Sequence, residues 1–217
     1  MSSSADHAID LYCERTSAAF WAEPVNALTN FSFVVAAIAL LVLLRRRGLR
    51  TDWYGGWLIG NVAVIGLGSF LFHTVASRAT MLADLLPIFI YQLSFLAFYL
   101  RRVAGWPRRT VAVVLLVFLL LNAAFLQLPR EWLNGSLLYG GALLATGGLA
   151  ALHRQAGRQE PNLLWWAFAL FVVSLTCRTL DDSLCAAWPS GTHFLWHLLN
   201  GLLLYLTTRA YLLNQRR

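Results

Sequence analysis

Charge is scarce in this chain. Of 217 residues only 12% are charged; ten are acidic, and all 17 basic residues are arginine, with no lysine. Hydrophobic residues make up 59%, and the mean hydropathy is +0.60. So little polar material excludes an ordinary soluble domain and leaves an integral membrane protein. A net charge of +7 is compatible with nucleic-acid binding, but the arginines sit in short clusters between apolar runs and form no single stripe, which excludes a nucleic-acid surface. No low-complexity tract, long linker or internal repeat is present, so residues 1–217 are expected to form one domain. The first 22 residues lack the positive start and small-residue cleavage site of a secretory signal, and no removal is expected.

What the chain does have is apolar length. Seven runs reach the roughly 20 residues that cross a hydrocarbon core: about 24–44, 53–75, 84–100, 110–127, 133–152, 162–180 and 193–213. The fold class expected is therefore all-α, a seven-transmembrane-helix bundle, with residues 1–23 as a polar segment ahead of it. Arginine clusters follow every second run: Arg45, Arg46, Arg47 and Arg50; Arg101, Arg102, Arg108 and Arg109; Arg154 and Arg158; Arg216 and Arg217. The positive-inside rule places these in the cytoplasm, so the N-terminus is expected outside and the C-terminus inside.

Ionisable groups inside spanning segments are functional candidates by default. Ser69 and His73 in "GLGSFLFHTVASRATMLAD", Asp84 at the start of the third run, and His193 and His197 in "GTHFLWHLLNG" all fall at the outer ends of their runs. His193 and His197, four apart, share a helix face, and His73 can add a third nitrogen from another helix. Three nitrogens with one open position is the usual arrangement of catalytic zinc, which acidifies a water molecule. Ser69, one turn before His73, and Asp84, a candidate proton carrier, complete the set. A histidine pair of this spacing also suits interhelical hydrogen bonding or haem ligation. His7, in the polar tail, and His153, among arginines, read as solvated surface residues.

A second cluster lies in "IDLYCERTSAAFWAEPVNALTN", where Asp10, Glu14, Thr16, Glu23 and Asn26 offer the hard oxygens that suit calcium, without the spacing of an EF-hand. Glu23 and Asn26 equally suit a helix cap. Cys13 and Cys185 both fall in outer segments, where an oxidising compartment permits a disulfide; Cys177, inside the sixth run, reads as a small buried hydrophobe. Arg178 precedes Asp181 and Asp182 by three and four residues, the spacing of a local ion pair, with a supporting role near the histidines as the alternative.

The segments "DLYCERTSAAFWAEPVNALTN", "GLGSFLFHTVASRATMLAD" and "RTLDDSLCAAWPSGTHFLWHLLNGLLLYL" resemble, in order, the signature segments of the alkaline ceramidases, within a wider superfamily of seven-helix membrane hydrolases that includes adiponectin-receptor-like proteins. The resemblance implies a zinc-dependent amidase of ceramide-like lipids in the membrane, with His73, His193 and His197 as zinc ligands and Ser69 and Asp84 as their active-site partners. It also implies a calcium site at the N-terminal carboxylates and a pairing of Cys13 with Cys185. Arginine-only basic content and compact loops look bacterial, which implies an inner-membrane protein with its metal near the periplasmic side. The alternative is a receptor or transporter-like bundle pinned by a structural metal.

Overall fold

The computed structural model describes residues 8–215; among them the chain is helical, with no strand. His7, Arg216 and Arg217 lie outside the described residues. Helices α1 (Pro24–Thr29) and α2 (Phe31–Arg46) run almost end to end and are followed by α3 (Trp53–Val75), α4 (Arg78–Phe98), α5 (Arg108–Phe125), α6 (Gly140–Gln155), α7 (Leu163–Leu184) and α8 (His193–Asn214). A π-helical stretch, Tyr99–Ala104, prolongs α4, and a 3-10 stretch, Trp132–Tyr139, leads into α6. Local chemistry sets the starts. Asp52 caps α3 by accepting from Gly55 N at 2.8 Å; Ser77 and Thr80 form a capping box on α4; Pro24 occupies the first turn of α1, where its missing N–H costs nothing.

Among the described residues six helical stretches are long and apolar enough to cross a membrane: Pro24–Arg46, Trp53–Val75, Arg78–Ala104, Arg108–Phe125, Trp132–Gln155 and Leu163–Leu184. The seventh expected span differs. α8 has 22 residues, but His193, His197, Asn200, Thr207, Thr208 and Arg209 lower its hydropathy, and it packs chiefly against α7 and α2. The third expected span begins at Arg78, six residues before the expected start, so Asp84 is sunk between one and two turns into α4. Around the bundle Val35, Leu67, Val113, Leu120 and Val173 are exposed, an apolar belt that fits contact with lipid tails.

Alternating connections separate two polar ends. At one end Asp52 accepts from Tyr211 Oη and Arg102 Nε, and Glu160 pairs with Arg209, drawing the arginine-bearing connections together. At the other end residues 8–23 fold back over the bundle, Ile9 N donating to the Ala76 carbonyl at 2.8 Å. His153 belongs to the first end and corrects the expectation of a solvated residue. It is fully buried, because Tyr99 Oη lies 2.5 Å from its Nδ1 and the connection after α6 folds back to set the Gln159 and Glu160 carbonyls 3.2 Å from its Nε2.

Candidate metal centre

α3 and α4 touch at Gly68. A Cβ there would lie 2.0 Å from the Ala83 carbonyl oxygen, so only glycine lets the two backbones close. That approach sets Ser69 beside Asp84, both buried, and one turn later His73 points into the same space. α8 delivers His193 and His197 from its first two turns. One nitrogen from each of the three rings lies within 4.8 Å of the others, and ring centroids are 4.6 Å apart for His73 with His197 and for His193 with His197. His73 Nε2, His193 Nδ1 and His197 Nε2 are buried without a hydrogen-bond partner.

The neighbours explain which nitrogens are free. Glu23 Oε2 lies 2.6 Å from His73 Nδ1, a contact that requires the proton on Nδ1 and leaves the lone pair on Nε2. Thr29 Oγ1 donates to the carbonyls of Val25 and Asn26, so at 3.0 Å it accepts from His197 Nδ1, and that ring also keeps its Nε2 lone pair. Tyr12 stacks on His193 at a centroid distance of 3.6 Å. Burial pushes the Tyr12 phenol well above its ordinary value, so the hydroxyl stays protonated. A neutral three-nitrogen donor set with buried, unpartnered lone pairs suits a divalent ion of the zinc type.

Of the expected calcium ligands, Glu14 and Glu23 are engaged by protein groups. Glu14 caps α1, accepting from Val25 N at 2.7 Å and Asn26 N at 2.8 Å; burial outweighs those two bonds and holds its carboxyl above the ordinary value. Glu23 Oε1 accepts from Arg15 Nε at 2.5 Å, and Oε2 accepts from Asn26 Nδ2 at 3.0 Å as well as meeting His73. Burial acts to raise the Glu23 carboxyl; the hydrogen bond from His73, then those from Asn26 and Arg15, outweigh it and hold it below the ordinary carboxylate value. Arg15, 4% exposed, also donates to the carbonyls of Ser17 and His73. The Arg15 guanidinium thus meets the Glu23 carboxylate that the calcium expectation assigned to an ion, while Asp10 and Thr16 are exposed.

Cys13 and Cys185 are bonded to each other, joining the N-terminal segment to the end of α7. Cys177 is half-buried rather than enclosed. The local ion pair expected of Arg178 is absent among the described residues. Asp181 is fully buried and instead accepts from the backbone N–H groups of Cys13, Thr192 and His193 at 3.0, 2.6 and 2.8 Å, clamping the start of α8; Asp182 points to solvent. Gly191 makes that clamp possible, because it has φ +61° and a Cβ on it would lie 2.1 Å from Asp181 Oδ1.

Beside the histidines opens a cavity of about 280 Å³, lined by Tyr12, Asp84, Arg178 and His193 among others. It adjoins an apolar groove of about 310 Å³ between α4 and α5, with Leu85, Leu126, Leu138 and Tyr139 common to both. Arg15, Tyr12 and Thr29 escaped sequence reasoning as parts of this site; Arg15 and Tyr12 are brought in by the folding back of a segment that looks like a polar tail. No curated protein matches the chain. The family model described as Ceramidase matches residues 7–215, nearly the whole length, and the chain belongs to the ceramidase family.

Proposed function

We propose that this protein is a zinc-dependent intramembrane amidase that splits ceramide-like N-acyl lipids into a sphingoid base and a fatty acid. The observation that carries the assignment is the trio of buried, unpartnered ring nitrogens on His73, His193 and His197, with His73 and His197 oriented by Glu23 and Thr29 and His193 lining a cavity that also holds Asp84. When bound, the ion supplies Lewis acidity for an amide carbonyl and acidifies water. Asp84 Oδ1, buried and without a partner, takes the proton of the attacking water and returns it to the departing amine nitrogen. Ser69 Oγ donates a hydrogen bond to the oxygen on which negative charge develops. The acyl chain lies in the apolar groove between α4 and α5, whose walls include Leu86, Phe89, Leu119 and Ala123. With the arginine-rich end in the cytoplasm, the chain has seven spans and its N-terminus outside, and the histidines lie near the outer face, periplasmic in a bacterial inner membrane. The scissile amide of a two-chain lipid sits at that same depth, below the headgroups.

A structural ion in a receptor or transporter-like bundle is the competing possibility. Metal content and mass-spectrometric detection of released fatty acid, measured on the purified full chain, separate the two. Wild type is expected to hold one zinc per chain and to release fatty acid; His193→Ala loses both; Asp84→Asn keeps the metal and loses about 10²–10³ in rate, the typical cost of one such group. Full activity in Asp84→Asn would overturn its role. Bound metal with no release from any N-acyl lipid would favour the structural ion.

A further inference from the structure

Arg178 is a cation without an anion. It projects from α7 at the depth of the metal centre, and among the described residues none of the ion pairs includes it. Both of its side-chain hydrogen bonds leave from Nη1, to the Asn134 carbonyl at 2.6 Å and Ser136 Oγ at 3.0 Å, while Nε is buried with no partner. The guanidinium carbon lies 5.6 Å from the Tyr139 ring centroid and 5.9 Å from that of Trp196, so the group is held beside two aromatic rings. An unpaired charge in such surroundings is costly and marks function.

The backbone that holds it is strained. Leu133, Asn134 and Gly135 have φ of 53°, 50° and 69°, three consecutive residues in the left-handed region that only glycine enters freely. The middle one supplies the carbonyl that Arg178 grips. A strained turn and a charge without a counter-ion are both explained if the guanidinium is kept in place for a ligand. Arg178 lines the same cavity as Asp84 and His193, whose other charged wall residue is Arg130, so cations outnumber the single carboxylate there.

Resting on the amidase assignment above, we propose that the amine half of the substrate carries an acidic group close to the scissile amide, a carboxylate, phosphate or sulfonate, and that Arg178 binds it. The edge formed by Nε and Nη2 matches the two oxygens of such a group as a fork. The hydroxyl of Tyr12, which lines the same cavity, donates to the same anion. The acyl half then runs the other way, into the groove between α4 and α5.

The test uses the full chain in detergent with substrates of one acyl length: an N-acyl amino acid, its methyl ester, a neutral N-acyl sphingoid base and that base carrying a phosphate monoester. The acid is expected to exceed its methyl ester by about 10- to 100-fold in kcat/KM, and the phosphorylated lipid its neutral parent by a similar factor, since a charge-assisted fork discriminates on that scale. A preference confined to one of the two pairs identifies which acid is recognised. Arg178→Gln brings both ratios close to one, and Arg178→Lys, which keeps charge without the fork, restores part of the preference. Equal rates for acid and ester together with equal rates for phosphorylated and neutral lipid, or ratios that persist in Arg178→Gln, overturn the proposal. Binding of the same four lipids, followed by tryptophan fluorescence, separates failures. Tighter binding of the acidic member of a pair without hydrolysis of any lipid supports the Arg178 site and sinks the amidase; hydrolysis of all four at equal rates does the reverse.

Discussion

Replacing Arg15 with leucine tests whether a built-in cation, and not a bound one, holds the orienting carboxylate of the metal centre. Arg15 is 4% exposed and donates through Nε to Glu23 Oε1, whose other oxygen meets His73 Nδ1. Removing one partner of a buried ion pair costs about 3–5 kcal/mol, because the remaining charge stays buried and unmatched. Asn26 and His73 still satisfy Glu23 Oε2, so the lower end, about 3 kcal/mol, is expected for Arg15→Leu. For a chain of this length that is a fall in Tm of roughly 6–12 °C. The double variant Arg15→Leu with Glu23→Leu removes both charges and fills the space with apolar atoms, which typically recovers most of such a loss. His73 then lacks the carboxylate that fixes its tautomer, and zinc affinity falls about 10- to 100-fold even though the fold is restored. Thermal denaturation in detergent reads the first quantity and competition with a chelator the second. A single variant as stable as wild type, or a double variant no more stable than the single, would refute the ion-pair account; unchanged zinc affinity in the double variant would refute the orienting role of Glu23.

Three further outcomes follow from contacts already described. Calcium and its selective chelators should leave Tm and activity of the wild type unchanged, because Glu14 and Glu23 are committed to Val25, Asn26, Arg15 and His73; a calcium-dependent rise in Tm would refute that expectation. Gly191→Ala combines left-handed strain with a Cβ 2.1 Å from Asp181 Oδ1, so it should destabilise by about 3 kcal/mol and weaken zinc binding through His193; a shift under about 1 kcal/mol in chemical denaturation would count against the Asp181 clamp. The hydrogen bond from Arg209 holds the Glu160 carboxyl below its ordinary value, so its contribution is present above the unfolded value near 4.5 and is lost as pH falls through the lower folded value. Stability of wild type should therefore drop more steeply below about pH 4.5 than that of Glu160→Gln, by about 1 kcal/mol for a partly exposed pair, and parallel pH profiles would exclude the pair as a contributor.

The parts of the site that were legible in the sequence are those fixed by helical periodicity. His193 with His197 and Ser69 with His73 are four apart, so any helix puts each pair on one face, and no tertiary detail is needed to see it. Depth was harder to read. Hydropathy alone passes over the Ser77–Thr80 capping box, which starts α4 six residues before Asp84. It also gives α8 the look of an evenly apolar run, although its buried residues include His193, His197, Asn200, Thr207 and Thr208. His153 misled because a histidine among arginines looks solvated, while the connection that covers it, Gln159 and Glu160, carries no local signal of folding back. Arg178 misled in the opposite way: spacing offered it Asp181, which three backbone N–H groups had already claimed.

The division of labour between helices and tail follows from the same contacts. Membrane helices can bring imidazoles together by packing alone, yet packing does not choose which ring nitrogen carries a proton. That choice needs acceptors placed within hydrogen-bond reach, and the supply of carboxylates and hydroxyls inside apolar spans is small. Here the acceptors come from the polar segment and the first turns that follow it: Glu23 for His73, Thr29 for His197, with Tyr12 stacked on His193. The segment is anchored from three directions, by Arg15 to the His73 carbonyl, by Cys13 N to Asp181, and by the disulfide to Cys185, 172 residues along the chain. The first two anchors land at a histidine-bearing helix end, on His73 itself and on the Asp181 that holds His193 N, so a change that loosens the tail reaches the ligands before it reaches the bundle. Reduction of the disulfide is thus a perturbation of the metal centre first and of the fold second.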